Sequence, residues 1–66
     1  MRITVNDESR EVPDEMTVAE LVASLALPST RVAVEVDRQL VRRADHAGHK
    51  LQAGSVVEVV TLVGGG

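Results

Sequence analysis

Not one Phe, Trp, Tyr or Cys occurs anywhere in the 66 residues. That absence constrains the fold more than any motif does. A domain of this length buries only ~60% of the surface its unfolded chain exposes. With no disulfide to staple it, the core must close on small aliphatic side chains alone. Val dominates the apolar set, and β-branched residues fit the pleated, half-buried surface of a sheet. The same absence removes function classes. There is no thiol nucleophile and no thiolate metal site. There is no aromatic platform for stacked bases. The net charge of −3, with both signs mixed along the chain, gives no electrostatic footprint for nucleic acid. No run of about 20 apolar residues suggests a membrane span, and the opening MRITVNDESREV lacks the apolar core of a signal peptide. The expectation is a cytoplasmic domain with no nucleic-acid or membrane partner.

Hydrophobic spacing sets the elements. Arg2–Asn6 alternates with Ile3 and Val5 on one face, a strand. Asn6-Asp7-Glu8-Ser9 reads as a turn, and Arg10–Val12 resumes a short strand. Thr17-Val18-Ala19-Glu20 has the spacing of a capping box, with Met16 and Leu21 at staple positions. Val18, Leu21, Val22 and Leu25 then form one helical stripe, which Pro28 ends. Arg31–Val36 alternates with Val32, Val34 and Val36 inward; Asp37-Arg38 is a tight turn into a strand at Gln39–Arg42. Arg43–Lys50 has no period and reads as irregular or a short helical turn. Val56–Leu62 is the strongest strand in the chain. The order β-β-α-β-β-β predicts an α+β layer, a mixed sheet with one main helix on one face. The β-grasp (ubiquitin-like) fold has this order. The predicted domain covers 1–63, with a flexible tail at 64–66.

The last strand runs without spacer into Val63-Gly64-Gly65-Gly66. A glycine tail is costly to order and adds nothing to a core. Its advantage is that bare backbone passes where side chains cannot. Four residues at ~3.3 Å each span ~13 Å, enough to carry a terminal carboxylate into another protein's active site. The alternative is a frayed end or a cloning scar, but direct attachment to the last strand favours a delivery role. A carboxylate must be activated before it can react, most commonly as an acyl-adenylate. The chain has no Gly-rich phosphate loop and no nucleophile–base pair, so the ATP chemistry belongs to another protein.

Strand parity divides the final strand. If Glu58 faces solvent, Val56, Val60 and Leu62 share its face, and Val57 and Val59 point to the core. Val60, Leu62 and Val63 are therefore the expected partner-docking residues beside the tail. His46 and His49 are three apart, but with Asp45 as their only complement they are read as solvated loop residues and no metal site is expected. Arg42-Arg43 reads as a solvated turn.

The chain resembles the ThiS family, the sulfur carriers of thiamine biosynthesis within the ubiquitin-like group. The resemblance rests on Ile3-Thr4-Val5-Asn6, Thr17-Val18-Ala19-Glu20-Leu21, Val32-Ala33-Val34-Glu35-Val36, Leu40-Val41, and the ending from Leu51 through Gly54 and Val56-Val57-Glu58-Val59-Val60-Thr61-Leu62-Val63 to the three glycines. Asp37 stands where the family often has Asn, Arg42 where Pro is common, and Ser55 where Asp is common. The resemblance implies a carrier that is not itself an enzyme and binds no cofactor. An E1-like enzyme, using ATP and Mg, would adenylate Gly66. Sulfur from a cysteine desulfurase would convert it to a thiocarboxylate, and thiazole synthase would take that sulfur. Alternatives on the same fold are the small subunit of molybdopterin synthase and a ubiquitin-like modifier.

Overall fold

A computed structural model describes residues 1–62. A five-stranded sheet is built from β1 (Arg2–Val5), β2 (Glu8–Glu11), β3 (Val32–Val36), β4 (Gln39–Val41) and β5 (Val56–Thr61). Its spatial order is β2-β1-β5-β3-β4. The helix α1 (Val18–Ser24) connects the N-terminal hairpin to β3, and 3-10 turns occupy Ser29–Arg31 and Arg43–Gly48. This is the expected mixed sheet with one main helix, a β-grasp. β5 is the central strand, parallel to β1 and antiparallel to β3.

The core is aliphatic, as the composition requires. Ile3 and Val5 of β1, Val32, Val34 and Val36 of β3, Val41 of β4 and Val57 and Val59 of β5 all point to one face. Against them pack Val18, Leu21 and Val22 of α1, with Leu51. Leu25, placed in the helical stripe by spacing, is only half-buried. The helix starts where the sequence places it. Thr17 accepts from the Glu20 amide at 3.1 Å, and Glu20 Oε1 accepts from the Thr17 amide at 2.9 Å, so each satisfies an otherwise orphaned donor. The helix end is fixed by Ala26, which takes φ +57 just beyond the Leu25 cap and donates to Ala23. Left-handed geometry at a non-glycine residue is uncommon and costs free energy.

The first hairpin is tighter than the spacing suggested. β2 begins at Glu8 rather than Arg10, because Asn6 and Asp7 alone make the turn, with φ +49 and +67. Two successive positive φ angles are the type I′ pattern, whose twist matches that of the paired strands. The second hairpin repeats it at Asp37 and Arg38, with φ +51 and +69. Both turns also hold the central strand. Asn6 donates its backbone amide to Val57 O at 2.9 Å. Its side-chain amide accepts from Val59 N at 2.8 Å and donates to Val59 O at 3.1 Å. On the other edge, Asp37 donates its amide to Val56 O at 2.8 Å, and its carboxylate accepts from Val56 N at 2.9 Å. An Asn at 37 would offer the same oxygen. The other two departures from the family pattern are equally local. Ser55 Oγ accepts from the Gln52 amide, and Arg42 has φ −64 and ψ 151, a conformation open to proline.

Replacing Asn6 by Ala removes two hydrogen bonds to half-buried backbone and puts a Cβ-bearing residue without a compensating side chain at positive φ. The expected cost is about 2–3 kcal/mol in urea unfolding. Asn6→Gly relieves the backbone and should cost less, while both variants speed amide exchange at Val59. Equal stability of Asn6→Ala and wild type would remove the clamp from the account. The capping box sets an acid dependence. The Thr17 amide, and then its hydroxyl, hold the Glu20 carboxyl below its usual value. That stabilisation is complete above the unfolded-state pKa and is lost as pH falls through the lower folded-state value. Glu20→Gln should flatten this limb of the stability–pH curve; an unchanged limb would mean that other carboxylates set it.

Candidate functional site

The sheet has one covered face and one bare face. Alternation along β5 puts Val57 and Val59 in the core and leaves Val56, Glu58 and Val60 on the bare side. The expected parity is therefore correct. Val56 is 48% exposed, Val60 55% and Leu62 53%. Strand register brings in residues that the sequence reading did not include. Val60 lies opposite Ala33, Glu58 opposite Glu35, and Glu35 opposite Leu40, which is 65% exposed. Leu40 was legible in principle: Val41 is a core residue, so its neighbour must point outward.

β5 carries this face toward the chain's final residues. Val32 pairs with Thr61, and Leu62 donates its amide to Arg31 O at 2.7 Å, so the chain is tied to the sheet up to Leu62. Val63, the remaining expected docking residue, and the tail Gly64, Gly65 and Gly66 lie outside the described residues. The structure thus brings Val60 and Leu62 together on the bare face, at the end of the sheet from which those four residues continue.

Elsewhere the surface offers less. A shallow depression of about 380 Å³ lies between α1 and the 43–48 turn, lined by Ala19, Val22, Leu27, Arg43 and His46 among others. His46 is a correction to the sequence reading. It is buried, not solvated, and its Nε2 sits 3.1 Å from Val41 O. The turn that carries it packs against the helix, and His46 lines the depression between them with Ala19 and Val22. His49 is half-buried, and its carbonyl accepts from the Val18 amide at 2.9 Å. Arg42 pairs with Asp45 at 3.3 Å on the surface. Among the described residues no group of three or more His, Cys, Asp or Glu side chains is placed to hold a metal ion. No described helix is long and apolar enough to cross a membrane.

Known proteins share this fold. A crystal structure of the thiamine biosynthesis protein ThiS from Geobacter metallireducens matches with a TM-score of 0.86 and 28% identity, covering all of both chains. A solution structure of a thiamine biosynthesis protein from the same organism matches with a TM-score of 0.82 and 28% identity, over all of this chain and 88% of that one. A thiazole synthase from Paramagnetospirillum magneticum is 33% identical over 66 residues. This chain spans only 20% of that relative's length. The ThiS family model matches residues 2–66, the described domain and the glycine ending together. The chain belongs to the ThiS family.

Proposed function

We propose that this protein is a sulfur carrier in thiamine biosynthesis and that the carboxylate of Gly66 is its reacting group. The observation that carries the reading is the division of labour in β5. One face of the strand builds the core, the other is bare with Val56 and Val60 flanking Glu58, and the strand leads through Leu62 into Val63-Gly64-Gly65-Gly66. Membership of the ThiS family supports the thiamine assignment over the molybdopterin alternative.

The steps follow from the chemistry of a carboxylate. Its oxygen attacks the α-phosphate of ATP on an E1-like enzyme, pyrophosphate leaves, and the acyl-adenylate forms. The persulfide formed by a cysteine desulfurase attacks the acyl carbon and displaces AMP, and a thiol then cleaves the resulting acyl disulfide, leaving a thiocarboxylate and a disulfide. Thiazole synthase then accepts the sulfur. A protein named thiazole synthase carries a segment similar to this chain, which supports that enzyme as the acceptor. The carrier contributes no catalytic group and no nucleotide site in this scheme. Its part is to dock by Val60, Leu62 and Val63 and to extend backbone thin enough to enter a narrow channel.

Two substitutions test the scheme in a reconstituted reaction containing the activating enzyme, ATP, Mg and a sulfur source. The wild type should exchange one oxygen for sulfur, located at Gly66 by mass spectrometry. Gly65→Val should fold normally and fail to be adenylated, since its side chain obstructs the channel; normal activation would sink the channel argument. Leu62→Asp should also keep the fold, because the side chain is already exposed. It should raise the carrier's KM about tenfold, ~1.4 kcal/mol, as the charge must be desolvated on docking. Val59→Asp should unfold the domain, because it buries a charge in a core with little stability to spare. Normal KM for Leu62→Asp would move the docking face elsewhere.

A further inference from the structure

The bare sheet face holds a feature that folding alone does not favour. Glu35 and Glu58 stand directly opposite each other on β3 and β5, both exposed. The Val59 amide turns toward Asn6, so the Glu58 backbone turns toward β3. Glu35 and Glu58 therefore form a hydrogen-bonded antiparallel pair, with Cα atoms ~5.5 Å apart. Like charges directly opposite on one face are destabilising. Neither carboxylate forms an ion pair among the described residues; Arg2, Arg42, Lys50 and the N-terminal ammonium all pair elsewhere. Around the two carboxylates stand Leu40 beside Glu35 and Val56 and Val60 beside Glu58 along β5, with Leu62 beyond.

This pattern selects among occupants. A second copy laid face to face would bring four carboxylates together in a chain that already carries −3, and burying them unpaired would cost more than the apolar contact returns. A basic partner surface fits. A guanidinium is planar, always charged and carries five donors in a fork, so it can donate to both carboxylates at once, and it is less strongly hydrated than an ammonium. We propose that the bare face receives a basic partner surface, in which one arginine forks between Glu35 and Glu58 while apolar side chains seat on Leu40, Val56, Val60 and Leu62. The proposal rests on the carrier reading and adds the chemistry of its partner: the apolar contacts supply affinity, and the carboxylate pair supplies register and discrimination.

The test is pyrophosphate exchange by the activating enzyme at varied carrier concentration, comparing wild type, Glu35→Gln/Glu58→Gln and, as a control on the edge strand, Glu8→Gln. The double variant should raise KM about tenfold while changing kcat less than about twofold, and Glu8→Gln should match wild type. Wild-type KM should rise with salt and the double variant's should rise less. Thermal unfolding of the double variant should be unchanged or higher, because repulsion is relieved; a structural role for the pair would lower it. A wild type that is adenylated while the double variant keeps the same KM and salt dependence overturns the arginine fork and leaves the carrier reading standing. A wild type that sediments as a dimer through this face also overturns it. A wild type that is not adenylated at all overturns the carrier reading and this inference with it.

Discussion

Everything in this domain depends on the backbone of β5 being held on both sides. Among the described residues it is the only strand that pairs with both hairpins, parallel to β1 and antiparallel to β3. The strand pairings are short, and the two turns lengthen them. Asn6 supplies a side-chain amide where β1 has ended, and Asp37 supplies a carboxylate oxygen where β3 turns away. A chain this small, with no aromatic residue and no disulfide, has little burial in reserve. Fixing the central strand by polar contacts at its rims leaves its inward valines free to be pure core.

That arrangement separates buried from exposed side chains along one strand. Val57 and Val59 are buried, and Val56, Val60 and Leu62 are exposed. Substitutions at Val57 and Val59 therefore disturb the core, while those at Val56, Val60 and Leu62 change the exposed surface. The bare face is continuous across three strands, from Leu40 through Glu35 to Glu58. Its carboxylate pair sets two like charges opposite each other in the monomer. The chain stays tied to the sheet as far as Leu62, whose amide donates to Arg31 O beside the end of β5.

Much of this was legible in the sequence because the signals were periodic or local. The Thr17–Glu20 box fixed the start of the helix, and alternation placed Val32, Val34 and Val36 inward and gave β5 its parity. What escaped had no period to read. β2 is Glu-Ser-Arg-Glu, an edge strand exposed along its whole length, so nothing apolar distinguishes it from a turn. The turn before it uses Asn-Asp without glycine, which conceals two positive φ angles. His46 lies in an aperiodic stretch, and its burial comes from packing against the helix rather than from its neighbours in sequence. Alternation alone turns Leu40 and Glu35 outward, but their place beside Glu58 comes from cross-strand register, a relation between segments. Val63 and the three glycines lie beyond the described residues, and their assigned role rests on chemistry and family.

The central claim is that Gly66 carries sulfur in the cell. Intact-protein mass spectrometry on the chain purified from its own cells, grown without thiamine and handled without reductant or alkylating agent, tests it most directly. A sulfur-carrying Gly66 predicts a population in which one oxygen is replaced by sulfur, with fragmentation placing the change at Gly66. A chain wholly unmodified under thiamine demand, or sulfur located on any internal residue, would contradict it.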